Sequence, residues 1–113
     1  MTRSRLLAAA AALLSLPALA AAETWKNVYV VDTLCLSKVK ANPDAHTTQC
    51  ALQCAKGGYG LLTADGTYLK FDAAGDQKTV AALKATKRED HLRATVDGQR
   101  EGDTIKVASI AIE

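Results

Sequence analysis

The chain has 113 residues, 49% of them hydrophobic and only 4% aromatic, with 14 Lys and Arg against 12 Asp and Glu. This length suits one domain with a modest core. A charge balance this even lacks the positive excess that nucleic-acid phosphates demand, so nucleic acid is excluded as the expected partner.

The first 22 residues read as an export signal. Arg3 and Arg5 form a basic start, Leu6 to Leu16 is an apolar run, and Pro17 breaks it. Ala18-Leu19-Ala20 and Ala20-Ala21-Ala22 both fit the small-x-small cleavage rule. The apolar run is short for a membrane anchor, which needs about 18 to 20 such residues. No cysteine stands at the cleavage site to carry a lipid. The expectation is therefore a cleaved signal over residues 1–22 and a single domain over 23–113, periplasmic or secreted from a bacterium, with no membrane anchor after cleavage. Cleavage after Ala22 removes two basic residues and leaves 12 Lys and Arg against 12 Asp and Glu.

The remaining elements follow in order. Trp25 to Asp32, rich in β-formers, predicts a first strand. Leu34 to Pro43 reads as connection, with Asn42-Pro43-Asp44 a turn. A short helix is expected from Thr47 to Lys56, capped by Thr47 or Asp44 and ended by Gly57-Gly58. Tyr59–Thr63 and Thr67–Phe71 flank Asp65-Gly66, a strong hairpin signal. A second helix runs from Gly75-Asp76 to Lys87, with Val80 and Leu83 inward and Lys78, Lys84 and Lys87 outward. His91 to Val96 alternates as a half-buried strand, and Gly98 to Asp103 reads as a turn. In Thr104 to Ile112, Ile105 and Val107 share one phase while Ala108, Ile110 and Ile112 share the other. A phase switch inside one strand predicts a bulge of the kind small barrels use. The fold expected is mainly β with two short helices, a small five-stranded OB-like barrel with an extra helix after the first strand. An open α+β sheet is the alternative.

Chemistry concentrates in one segment. The only three cysteines stand as Asp32-x2-Cys35, then His46-x3-Cys50-x3-Cys54. An odd number of cysteines in an exported chain leaves one sulfur without an intrachain partner. Three arrangements accommodate them. Cys35 can form a disulfide with Cys50 or Cys54, stapling a small domain and leaving a buried thiol. Alternatively Cys35, His46, Cys50 and Cys54 can hold one metal, zinc or copper, with Asp32 orienting the imidazole from behind. In that case Cys50, in the first helical turn, gains thiolate character from the helix dipole. Finally, a reactive Cys50 can do thiol redox chemistry with a second cysteine resolving it, although no C-x-x-C is present.

Other features carry less. His91 beside Asp90 reads as a surface histidine, and Trp25 and Tyr59 as core or barrel-rim residues. Gly57-Gly58-Tyr59-Gly60 lacks the Lys-Ser/Thr of a phosphate loop. No constellation suggests an enzyme.

Taken together, Asp32-Thr33-Leu34-Cys35, His46-Thr47-Thr48-Gln49-Cys50-Ala51-Leu52, Cys54, Gly58-Tyr59-Gly60, Asp65-Gly66 and the tail Gly102 to Ile110 resemble a group of small exported bacterial proteins without an assigned activity. The resemblance spans essentially the whole chain behind the signal and implies export and an OB-like barrel. In the group the last two cysteines are often spaced wider than Cys50-x3-Cys54. The functional expectation is a small exported binding protein holding a metal through Cys35, His46, Cys50 and Cys54. The alternative is a disulfide-stapled module whose face around Trp25, Tyr59 and Tyr68 meets an unknown periplasmic protein.

Overall fold

The computed structural model describes residues 21–113; the basic start and apolar run of the expected signal, within residues 1–20, lie outside them. Five strands, β1 (Ala22–Asp32), β2 (Tyr59–Leu62), β3 (Tyr68–Phe71), β4 (Arg93–Glu101) and β5 (Thr104–Ile112), close into a barrel in the order β1-β2-β3-β5-β4. All neighbours are antiparallel except β3 and β5, which run parallel through Lys70↔Thr104 and Phe71↔Ile105. This is the OB-like barrel expected from the element order, with a helix between the third and fourth strands.

The helices are α1 (Leu36–Val39), α2 (Thr48–Gln53) and α3 (Ala73–Ala85), joined by 3-10 turns at Thr33–Cys35, Pro43–Ala45 and Ala55–Gly57. Among the described residues three helices form where two were expected. The segment read as plain connection folds into α1 because Val39 has an apolar surface to cover: it packs on Val31 and Leu62 outside the barrel. That cover also explains why β2 is buried at all four positions instead of alternating. Tyr59 and Leu61 point into the main core, while Leu62 belongs to the outer cluster under α1.

α3 starts at Ala73, two residues ahead of the Gly75 expected, because Asp72 caps it by accepting from the Gly75 N–H at 3.0 Å. The same oxygen accepts from the Val107 N–H at 3.2 Å, fastening the helix to β5. Gly75 permits that approach, since a Cβ there would stand 2.6 Å from Val107 Cγ2. Leu83 is buried as expected. Thr79 is the other buried side chain, its hydroxyl donating to the Gly75 carbonyl, and Val80 is only half-buried.

The phase switch in β5 is a bulge. Asp97 pairs with Ser109 and Gly98 with Val107, so Ala108 has no partner. Ile105 and Val107 face the core on one side of it, and Ile110 and Ile112 pack against the core on the other. Gly98 was expected in a turn but lies inside β4, paired to Glu23 on one side and Val107 on the other. The glycine serves close backbone approach opposite the bulge, and the chain reverses at Gly102 instead.

The core lies inside the barrel and is capped at one end by Ala51 of α2 and by Leu83 of α3. Tyr59, fully buried, donates its hydroxyl to the Ala51 carbonyl at 2.8 Å. Burial pushes its phenol up to about 12. Tyr59→Phe would leave that carbonyl without its donor, with an expected loss of about 1 to 2 kcal/mol, seen as a lower urea midpoint at unchanged slope.

Candidate metal and thiol site

The segment between β1 and β2 begins and ends at facing positions, because Asp32 pairs with Tyr59 in the ladder. Everything the cysteine cluster needs is carried on this one insert. Asp32 ends β1 with no exposed surface and caps the first 3-10 turn, its Oδ2 accepting from the Cys35 N–H at 3.1 Å. The Thr33 N–H donates to the Gly58 carbonyl at 2.9 Å, which closes the neck of the insert.

His46 follows the second 3-10 turn, and its Nε2 lies 2.5 Å from Asp32 Oδ1. Both side chains are shut away, at 7% and 0% exposure. The expected carboxylate–imidazole contact is therefore present. It also occupies the nitrogen that reaches inward.

Thr47 caps α2 as expected, accepting from the Cys50 N–H at 3.0 Å. The helix ends at Gln53, however, and Cys54 is its C-cap with φ −103° and ψ 23°. The Cys54 N–H still donates to the Cys50 carbonyl at 3.2 Å, so the two residues remain one helical turn apart. Cys54 turns to Cys35, sulfur to sulfur at 3.7 Å, whereas Cys50 is exposed.

Asp32, Cys35 and Cys54 thus each bring one ligand atom within 4.8 Å of the others, the one such group among the described residues. Neither His46 nor Cys50 joins it. Of the four ligands expected from sequence, the structure brings two sulfurs together and adds the carboxylate that had been assigned a supporting place. Cys50 stands in the first turn of α2 as expected, but it is exposed. His46, Cys35 and Cys50 do share the wall of a pocket of about 290 Å³ with Lys38, Val39, Asn42 and Ala45.

Electrostatics bear mainly on Cys35. Its hydrogen bond to Asp32, then the neighbouring Cys54 thiol and burial, push its thiol up to about 11. Without a cation in place the sulfur stays protonated near neutrality.

Contacts the sequence did not suggest fix the insert to the barrel. Arg93 on β4 donates to both carboxylate oxygens of Asp44 at 3.3 and 3.1 Å and to the Tyr29 hydroxyl at 3.0 Å, and lies 5.0 Å from the Tyr29 ring centre. The Thr48 hydroxyl donates to the Arg88 carbonyl at 2.6 Å and the Thr48 N–H to the Glu89 carbonyl at 2.9 Å. Only proximity of residues far apart in sequence could have shown these.

His91 is exposed, with Nδ1 2.8 Å from Asp90 Oδ1, in keeping with a surface histidine. Tyr59 is wholly buried, which removes it from the partner-binding face considered above. Trp25 is half-buried against the core, and Tyr68 is held inward by its hydroxyl contacts with Val31 and Thr33. No helix of the described residues is long and apolar enough to cross a membrane. Comparison of the chain with protein-family models, curated proteins and solved structures gives no match.

Proposed function

We propose that this is a small exported metal-binding protein, in which Cys35, Cys54 and Asp32 hold a zinc ion. The observation that carries the reading is the 3.7 Å between the two sulfurs. Two thiolates about 2.3 Å from one tetrahedral zinc stand roughly 3.8 Å apart. A linear two-thiolate Cu(I) site would hold them roughly 4.6 Å apart if its bonds had about the same length. The sulfurs therefore need little movement to take a tetrahedral zinc. Asp32 supplies a hard oxygen beside them, and His46 orients that carboxylate. The roles of these two residues are thus the reverse of the sequence expectation. A fourth position is left for water or a ligand from outside.

The test is native mass spectrometry of the purified full-length product after zinc loading, followed by chelator competition. One zinc per chain is expected. Cys35→Ser or Cys54→Ser should weaken it on the order of 100-fold or more, and Cys50→Ser should leave it within a few-fold. Equal losses from all three variants would restore the three-cysteine set, and no zinc in the wild type would remove the reading. Because Cys35 is protonated up to about 11, zinc must displace its proton. Affinity should therefore rise with pH, roughly tenfold or more per unit between about pH 6 and pH 8, with matching proton release in calorimetry. A flat profile would mean that the thiol is not a ligand.

The same 3.7 Å contact favours one competing reading, a permanent Cys35–Cys54 staple with Cys50 left free. In that case the native protein yields one blockable thiol and no metal.

Export is part of the proposal. It is supported by the signal-like residues 1–22; β1 begins at Ala22, the last residue of the second small-x-small site. The intact mass of the product from an osmotic-shock fraction would give the cleavage point, and an uncleaved chain retained in the cytoplasm would overturn the assignment.

A further inference from the structure

Cys35 and Cys54 come from different elements, one closing a 3-10 turn and the other ending α2, yet their sulfurs are in contact at 3.7 Å. A disulfide needs them at about 2.05 Å, a closure of less than 2 Å shared by two side chains. Neither residue lies inside a helix, where the preceding turn restricts χ1; their backbones, at φ −104°, ψ 8° and φ −103°, ψ 23°, are those of helix ends. The reduced pair is also stabilised in its own right. Asp32, with no exposed surface, accepts from the Cys35 backbone N–H at 3.1 Å and sets a carboxylate oxygen within 4.8 Å of both sulfurs, where its charge favours the proton on Cys35. Both redox states therefore have a defined place in the fold.

We infer that Cys35 and Cys54 form a reversible dithiol–disulfide couple that exchanges two electrons with a disulfide carried by another molecule. The thiolate of one cysteine attacks the external R–S–S–R, breaking its S–S bond, forming a mixed disulfide and releasing one RSH. The second cysteine then attacks the protein-side sulfur of the mixed disulfide, closes Cys35–S–S–Cys54 and expels the second RSH. Two protein thiols are oxidised, one external disulfide is reduced, and both protons leave with the two product thiols. Cys50, exposed and outside the group, takes no part in the couple. Zinc and the disulfide use the same two sulfurs, so each excludes the other. This last step rests on the zinc reading, and the couple itself does not.

The experiment uses the full chain, wild type and Cys50→Ser, free of metal, in mixtures of reduced and oxidised glutathione. Samples are quenched in acid and thiol-blocked, and their intact mass is measured. Two thiols should disappear together, with the closed form predominating in oxidised mixtures and reopening when reduced glutathione is added in excess. In the wild type Cys50 should stay outside the bond, as a thiol or as a glutathione adduct that excess reduced glutathione removes. Thiols that persist in excess oxidised glutathione would overturn the couple, as would glutathione adducts on Cys35 or Cys54 that never close. A disulfide that reduced glutathione cannot reopen would also overturn it, in favour of the staple. In a parallel arm, saturating zinc should slow closure by at least about tenfold. An unchanged rate would overturn the zinc reading and its exclusion of the disulfide, while leaving the couple supported.

Discussion

His46→Ala should be the most damaging single change outside the main core. It strips a wholly buried carboxylate of its imidazole and leaves Asp32 with one backbone N–H as its remaining protein hydrogen-bond partner. Breaking a buried pair from one side typically costs about 3 to 5 kcal/mol, because the surviving group has neither water nor a partner. Chemical denaturation should show a loss of that size, with Tm falling roughly 4–8 °C for each kcal/mol in a domain this small. Asp32→Ala should also destabilise, since it leaves the imidazole nitrogen and the Cys35 N–H unpaired. The double variant, however, should lose less than the sum of the two, by at least about 1 kcal/mol. Strict additivity would show that the 2.5 Å contact does not couple the residues. A His46→Ala protein as stable as the wild type would show that the carboxylate finds water instead. The same series separates stability from ligand binding: zinc affinity measured well below each variant's Tm should fall far more for Asp32→Ala than for a His46→Gln variant that retains a side-chain amide.

Gly58→Ala is expected to be nearly as costly for a different reason. Gly58 sits at φ 78° and ψ −177°, a region open in practice to glycine alone. Its space is also filled: a Cβ would lie 2.5 Å from Lys70 Nζ and 2.8 Å from Asp76 Oδ2. Lysine can swing away, but Asp76 is fixed by accepting from the Tyr59 N–H at 2.9 Å. The backbone strain alone amounts to about 1 to 3 kcal/mol, and displacing Asp76 adds the loss of its hydrogen bond, about 1 kcal/mol. Gly66 provides the control. Its φ is 89°, but nothing lies within 4 Å of its would-be Cβ, so Gly66→Ala should show strain without collision. Urea midpoints should rank Gly58→Ala clearly below Gly66→Ala. Equal midpoints would mean that the crowding at Gly58 is relieved without cost. Because the Gly58 carbonyl also holds the Thr33 N–H, the variant should loosen the Cys35 turn and weaken zinc binding, whereas Gly66→Ala should not.

Much of the barrel was legible because its signals are local. Asp65-Gly66 gave the hairpin, the change of phase at Ala108 gave the bulge, and Thr47 gave the cap of α2. The elements misread depend on what lies opposite them. Gly98 looks like a turn residue until β1 and β5 are seen on either side of it. α1 looks like loop until Val31 and Leu62 present an apolar surface for Val39 to cover. The parallel seam between β3 and β5 has no counterpart in any local pattern. The cysteine cluster was found as a place, and of its four expected ligands Cys35 and Cys54 stand together. The four-residue spacing does keep Cys50 and Cys54 one turn apart, but spacing alone does not show that Cys54 meets Cys35 while Cys50 stays exposed. The contact between Asp32 and His46 was anticipated, but Asp32 proved the nearer neighbour of the sulfurs.

The neck of the insert, where Asp32 faces Tyr59, makes this protein modular in a specific sense. The barrel holds the two ends of the segment together, so the entropy of closing the loop hardly depends on what lies between them. Lengthening a loop of this size by four residues adds only ~0.1 kcal/mol to its closure. The strands keep their register as long as Val39 and Ala51 still cover the barrel. Sequence drift can therefore respace the cysteines, exchange the ligand or add a turn of helix without renegotiating the fold, and a designer could graft a different site onto the same two anchor positions.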